Sequence, residues 1–361
     1  YDPRRIQTIK KKKIEMQSGT DSRKGNAVRL ADIAREVGVS IVTVAKVLNN
    51  TGGKNTRVSE KTASRIKACV EKMEYHPNML ARRLVGKSSD LIGVVLDSCA
   101  PAVYHERLSL MEKYAAMNGY RFMIGQAHDD VEKLKSFAHT FHSYGVAGII
   151  CLAHTYEDAN AANVFPEDST VFLAQPKGIK NPCYVKIDAE KAFSQAVTYL
   201  VSRGRRRIAM LSLDVGYGDI LLREQAYRNA LGRYGFSREQ VKRVPLNAML
   251  DIDKILPLVQ ELVTVWKADA VICANDHLAI AVLRALSILR TAVPEQVAVT
   301  GYDNLDFTAL LSPPLTTFDN RRDLVAKTLV EMLWELIGTP NLSPEHRVRT
   351  IEPVLIERES T

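Results

Sequence analysis

From residue 91 to residue 300 short apolar runs rich in β-branched residues alternate with stretches of helical periodicity, and this alternation constrains the fold more than any other feature of the chain. LIGVVL at Leu91–Leu96 opens the series, and a helical stretch at about 104–118 follows it. Arg121–Ile124, Val146–Leu152, Val171–Leu173, Ile208–Leu213, Ala270–Ala274 and Val297–Thr300 continue it, with helical stretches between most of them. Parallel strands need a crossover of a dozen or more residues, usually a helix, so this order predicts parallel α/β sheets. The stretch is about 270 residues, near the limit of a single core, so two parallel-sheet subdomains with a cleft between them are expected.

The N-terminal part has another style. Leu30, Ile33, Ala34 and Val37 recur at helical spacing, Gly38 stops that helix, and Ser40 can cap the next, whose apolar face is Val44, Val47 and Leu48. Two short helices around Gly38-Val39-Ser40 have the spacing of a helix-turn-helix, in which the second helix enters the major groove. The alternative is an ordinary helical hairpin in a core. After the polar loop NNTGGKN at 49–55, a third helix is predicted over about 59–74, with Ala63, Ile66, Cys69, Val70 and Met73 inward, and Tyr75-His76-Pro77-Asn78 ends it. Asn78 can cap a short helical segment, Met79–Leu84, before a linker at Gly86–Ser89.

Charge separates the two parts. Of the 361 residues, 1–88 carry 20 Lys/Arg against 8 Asp/Glu, while the rest carry 29 against 33. A basic head on a mildly acidic body points to a polyanion, either nucleic acid or an anionic membrane surface. Six of the positive charges lie in residues 1–15. We read residues 1–27 as a basic, disordered extension or an overextended translation with Met16 as the start. Five scattered cysteines without a CxxC pair fit reduced thiols in a cytosolic protein. No apolar run approaches the ~20 residues needed to span a bilayer, and no signal peptide is visible.

The segments RLADIAREVGVSIVTVAKVLNN and VSEKTASRIKACVEKMEYHPNMLARRLVGKSSDLIGVVL closely resemble the head of LacI/GalR-family bacterial transcription regulators. RGRRRIAML, LLREQAYRNAL, ICANDHLAIAVLRAL, VPEQVAVTGYDNLDF and SPPLTTFDN recur in the same order in that family's periplasmic-binding-protein-like core, so the resemblance runs from about Leu30 to Glu357. It implies an all-α helix-turn-helix head at 28–76, a hinge helix and linker at 77–89, and an α/β effector-binding and dimerisation core of two parallel-sheet subdomains at 90–361. Ile41, Val42 and Lys46 sit where the family reads bases. Ser40, Thr43 and Asn49 would mainly hold phosphates. Asn78, Ala81, Arg82 and Leu84 fall on the hinge helix, with Leu84 at the leucine that wedges into the minor groove. Arg223, Asn275 and Asp303 match effector-cleft positions, and their chemistry suits a sugar. The alternative for each is a structural helix cap or interdomain bond, and Asn275-Asp276 could equally cap the helix that follows the strand.

The chain also departs from the pattern. Lys46 stands where the family usually has Arg, and Lys lacks the rigid bidentate fork for guanine. The NTGGKNTR loop is about four residues longer than usual. The aromatic pair of the family's NPFF-like segment is missing from Cys99–Tyr104, leaving Tyr104 as the stacking candidate. The implied function is a sequence-specific regulator, commonly a repressor, that binds an approximately palindromic operator as a homodimer in the bacterial cytoplasm, on the nucleoid. A small carbohydrate effector would set its DNA affinity. A ligand-independent regulator of the same fold and a sugar-transport binding protein are the alternatives.

Other chemistry finds no support. Gly86-Lys87-Ser88 lacks the first glycine and the upstream strand of a phosphate loop, and no GxSxG elbow occurs. His139 and His142 share a helix face without a third ligand, so no metal is expected. Gly216-Tyr217-Gly218 is too short for a dinucleotide fingerprint. Arg203–Arg207 reads as a solvated helix-to-strand turn. No cofactor and no enzymatic activity are expected.

Overall fold

The computed structural model describes residues 28–49, 58–75, 89–96, 102–128, 130–153, 164–236, 240–339 and 342–361. The chain divides between Lys87 and Ser88 into two units.

The first unit contains α1 (Leu30–Val37), α2 (Ile41–Asn49) and α3 (Glu60–Lys72). Gly38 ends α1 in the left-handed region, at φ 71°, which glycine reaches without the steric cost of a Cβ. The Ser40 hydroxyl accepts the Thr43 N–H at 3.1 Å and so caps α2, and the Ser59 hydroxyl does the same for the Thr62 N–H in α3. Ile33, Ala34, Val37, Val44, Ile66 and Cys69 form the core. Arg65 donates to the Val37 carbonyl at 2.9 Å, which satisfies an end group of α1. Of the five residues expected inward on the third helix, Ile66 and Cys69 are buried; Ala63, Val70 and Met73 are partly covered.

In the second unit the first half is built from β1 (Leu91–Leu96), α4 (Ala102–Ala116), β2 (Arg121–Gln126), α5 (Val131–Tyr144), β3 (Gly148–Cys151), β4 (Thr170–Leu173) and β5 (Cys183–Ile187). The chain then passes through α6 (Ala189–Ser202), β6 (Ile208–Leu213), α7 (Gly218–Arg233), β7 (Val241–Val244), α8 (Ile252–Thr264), β8 (Ala270–Cys273), α9 (Asp276–Ile288) and β9 (Ala298–Thr300), which make the second half. It returns by β10 (Thr317–Asp319) and α10 (Arg322–Gly338), adds β11 (Val348–Ile351) beside β5, and pairs β12 (Val354–Ile356) antiparallel with β10.

The first sheet runs β11-β5-β4-β3-β1-β2 and the second β7-β6-β8-β9, each parallel throughout. Met111 and Ala115 of α4 and Val325 to Leu336 of α10 pack with Ile92 and Val94 on one face of the first sheet. Phe141 of α5 packs with Val95, Ile149 and Phe172 on the other. Helices cover both faces, and β1, β3 and β4 are accordingly almost continuous apolar runs.

Several strands have no counterpart among the seven runs named above. β7 (VKRV) and β11 (VRTI) are sheet edges carrying charge, β5 alternates buried and exposed residues, and β10 has three residues. The Arg203–Arg207 turn is also better anchored than a solvated turn. Asp269 accepts the Arg206 and Arg207 backbone N–H groups, Arg205 donates to the Pro294 carbonyl at 2.6 Å, and Arg203 pairs with Glu357 at 3.0 Å. Cys69, Cys151, Cys183 and Cys273 are buried and joined by no disulfide among the described residues. Among the same residues no helix is long and apolar enough to cross a membrane.

Candidate functional sites

On α2 the helical period sorts the side chains into two faces. Val44 is fully buried while Ile41 is 50% and Val42 62% exposed. Two large apolar side chains in water at a helix start gain nothing for the head itself, and they stand beside half-buried Thr43 and Lys46. The Ser40 and Thr43 hydroxyls lie 2.8 Å apart and share a hydrogen bond. Such a face presents methyl groups, hydroxyls and one ammonium, the set needed for thymine methyls, phosphates and a guanine edge. The Asn49 side chain and all of Asn78, Ala81, Arg82 and Leu84 lie outside the described residues, as does the NTGGKN loop.

In the second unit, ligands of open parallel sheets are expected at the carboxyl ends of the strands. There the structure brings four expected residues together. Tyr104 comes from α4, which follows β1; Arg223 from α7, which follows β6; Asn275 follows β8; and Asp303 follows β9. Arg223 is the hub. It donates to Asp219 at 3.0 Å and to the Ala274 carbonyl at 2.7 Å, and its guanidinium lies 4.3 Å from the Tyr302 ring centroid. Burial opposes its cation, but Asp219, Tyr302 and Asp303 outweigh this and its pKa is raised.

Asp303 is 4% exposed and accepts from Asn320 Nδ2 at 2.9 Å. Burial pushes its carboxyl up to about 6 against the pull of Arg223 and Arg107. Its backbone has φ 110° and that of Asn304 φ 50°, a strained pair for residues with side chains. The turn is held from several sides: Asp303 N–H donates to the Phe318 carbonyl at 2.9 Å, Leu305 N–H to Asp276 Oδ2 at 2.8 Å, and Arg358 to Asn304 Oδ1 at 2.8 Å.

Asp276 is wholly buried. It accepts from the Thr317 hydroxyl at 2.6 Å, and burial together with Asp303 pushes its carboxyl up to about 8. Asn275 spends its side chain on structure: its Oδ1 accepts the Leu278 N–H at 2.9 Å as the cap of α9, and its Nδ2 faces the Met249 sulfur. Burial, followed by Asp219, raises the Tyr104 hydroxyl, which stays neutral.

Sequence reasoning missed Arg107, Asp219, Tyr302 and Asn320. Arg107 is 2% exposed with its guanidinium 5.2 Å from the Tyr104 centroid. Its spacing of three from Tyr104, and that of Asp219 four before Arg223, were the available signals. Beside the cluster, Glu106, Asp306, Asp319, Arg321, Arg322 and Asp323 line a cavity of about 640 Å³. His139 and His142 line a separate cavity of about 490 Å³ with Phe165 and Val146. Among the described residues no three metal-binding side chains come together.

Residues 29–78 match the family described as bacterial regulatory proteins, lacI family, and residues 197–361 match the periplasmic binding protein-like domain. The ribose operon repressor of Escherichia coli strain K12 is 26% identical over 337 residues, covering 92% of this chain and 99% of that protein. The transcriptional repressor PurR of Vibrio atlanticus is 26% identical over 336 residues, covering 91% and 97%. Among solved structures, the Lac repressor dimer bound to operator and an anti-inducer superposes with TM-score 0.82 at 24% identity, covering 93% of this chain and 99% of that one. The complex of the regulator CelR with cellobiose superposes at TM-score 0.65 and 23% identity, covering 92% and 100%.

Proposed function

We propose, for a chain that belongs to the lacI family of bacterial regulatory proteins and is thus a DNA-binding transcription regulator rather than an enzyme, that it represses genes from an approximately palindromic operator under control of a small ligand held between the halves of its core. Residues 28–76 read the half-site, 77–89 form hinge and linker, 90–361 form the effector and dimerisation core, and 1–27 are a basic extension. Ile41 and Val42 meet thymine methyls, Lys46 a base edge or phosphate, and Ser40, Thr43 and Asn49 the backbone. Asn78, Ala81, Arg82 and Leu84 serve the minor-groove contact. Two chains act as a homodimer, to which exposed Leu250, Ile288 and Leu310 offer apolar area, in the bacterial cytoplasm on the nucleoid.

The observation that carries the effector reading is the convergence of Tyr104 and Arg107 from one half with Asp219, Arg223, Tyr302 and Asp303 from the other. Arg223, two carboxylates and two rings give directional partners for hydroxyls and a face for a sugar ring. The relatives named for ribose and the structural neighbour bound to cellobiose support a carbohydrate. A ligand that re-angles the two halves biases DNA-bound against free states by its differential affinity. The test is a thermal-shift screen of the full chain against pentoses, hexoses and purines. A ligand whose stabilisation disappears in Asp303→Ala and Arg223→Ala supports the assignment, and one that stabilises both variants like the parent overturns it. The depth of burial of Arg107 favours a second reading, a regulator whose cleft is closed without a ligand.

A further inference from the structure

We propose that Arg107 is a built-in occupant of the cleft: its guanidinium, reaching from the first half of the core into the polar cluster of the second, clamps the halves together with no small molecule added, and a ligand enters only by taking over its contacts.

A cleft that waits open for a polyol leaves its polar lining in water. In this core the lining is shut away. Tyr104 is 9%, Arg107 2%, Tyr302 1% and Asp303 4% exposed. Arginine is almost never fully buried unless paired, so a buried guanidinium marks a made contact. Arg107 stacks on Tyr104 of its own helix, and its charge acts on Tyr302 and Asp303, both on the loop after β9 in the other half. The reverse also holds, since Tyr104 feels Asp219, Arg223 and Asp303 across the same boundary. The cluster therefore joins the halves beside Leu305 of the same loop, which packs among the residues of α4 and α10. Its formal charges balance, with Arg107 and Arg223 against Asp219 and Asp303, so the closed arrangement needs no external ion.

A second tie runs parallel to it. Arg322, at the start of α10, pairs with Glu106, the neighbour of Arg107, and with Asp306 at 3.2 Å, and donates to the Asn304 carbonyl at 3.1 Å. Both ties end on the strained 303–306 turn. Each is anchored by a helix fixed to the first sheet, α4 by Met111 and Ala115 and α10 by Val325 and Leu329. Arg107 thus sits where pull on one half is transmitted to the other.

The displacement half of this proposal rests on reading the cleft as the effector site; the clamp is a property of the core alone, and the experiment separates them. Ser136→Cys on α5 and Gln260→Cys on α8, both exposed, place one spin label on each half of the full-length protein. Pulsed dipolar spectroscopy with no small molecule should give one short, narrow distance distribution for the parent. Arg107→Ala should lengthen and broaden it. Arg107→Met, which keeps the bulk of the side chain without its charge, should do the same and stands in if the alanine variant does not fold. Arg107→Lys should fall between. A parent distribution that is already long and broad, or one unchanged in Arg107→Ala and Arg107→Met, overturns the clamp. Pentoses and hexoses titrated into parent and Arg107→Met then test displacement. If the parent core is open about a tenth of the time, removing the clamp tightens a sugar about tenfold. Equal affinities in the two proteins overturn the displacement. Failure of every sugar to bind either protein, with the distance change present, counts against the sugar reading and leaves the clamp standing.

Discussion

Replacing Asp276 by asparagine should remove a pH dependence of stability that the fold builds in. Burial and the neighbouring Asp303 push the Asp276 carboxyl up to about 8, far above an ordinary aspartate. The folded core therefore prefers the protonated acid, with Oδ2 accepting the Leu305 N–H and Oδ1 facing the Thr317 hydroxyl that donates to it. The unfolded chain ionises near pH 4, the ordinary value for an aspartate. Stability from this preference is fully present below that pH, falls as pH rises, and is gone once pH passes about 8. Within the window the unfolded state holds one proton fewer, so the slope is about −1.4 kcal/mol per pH unit, or about 4 kcal/mol between pH 5 and pH 8. The carboxamide introduced by Asp276→Asn does not titrate; its oxygen can accept the Leu305 N–H and its Nδ2 can donate to Thr317 Oγ1, the reverse of the bond made in the parent. The assay is urea unfolding across that range, followed by the fluorescence of Trp266 and Trp334, the only two tryptophans, both in the second unit. The parent should lose stability relative to Asp276→Asn as pH rises. A stability difference between the two that stays flat within about 1 kcal/mol, or that moves the other way, refutes the reasoning.

Gly301 has a close neighbour: a Cβ there would lie 2.1 Å from Asp276 Oδ1 and 2.9 Å from Leu315 Cδ2. Gly301→Ala should cost about 1–3 kcal/mol in urea unfolding and weaken any cleft ligand, because it shifts the turn that carries Asp303. Glu224, 1% exposed and bonded by Arg243 and Arg228, should cost about 2–4 kcal/mol as alanine, measured the same way; Arg243 is 43% exposed and can turn to water, which limits the loss. DNA affinity measured by anisotropy should fall steeply with salt, and Lys54→Ala or Arg57→Ala should shallow that dependence by about one charge if the long head loop touches phosphate.

How much of this could be read from the sequence follows from what each segment is buried against. Central strands such as LIGVVL, IAMLSL and AVIC are covered on both faces, and their unbroken apolar character shows in the sequence. VKRV and VRTI sit at sheet edges with half their surface in water, so their charges hide them. That α10 and β11 return to the first sheet after the whole second half has intervened is a long-range pairing, on which local periodicity is silent. The same distinction holds at the sites. Ser40 and Asn275 act as caps on their own helices, within three residues of their partners, and were legible as such, whereas Ser59, expected inside the third helix, is its cap. Arg107 looked like any charged helix residue, because what buries it comes from the loop after β9, nearly two hundred residues on. Asp303 was legible by resemblance, but its strained backbone and its dependence on Asp276 were not.

The most direct measurement of the central claim is binding of the full chain to a duplex selected from a random pool, compared with the Thr43→Ala, Lys46→Ala double variant. The account predicts that the parent prefers the selected duplex over a scrambled one by several hundredfold or more, and that the double variant loses most of that preference while the helices of the head remain folded. A double variant that binds the selected duplex as tightly and as selectively as the parent would contradict the assignment of α2 as the helix that reads DNA.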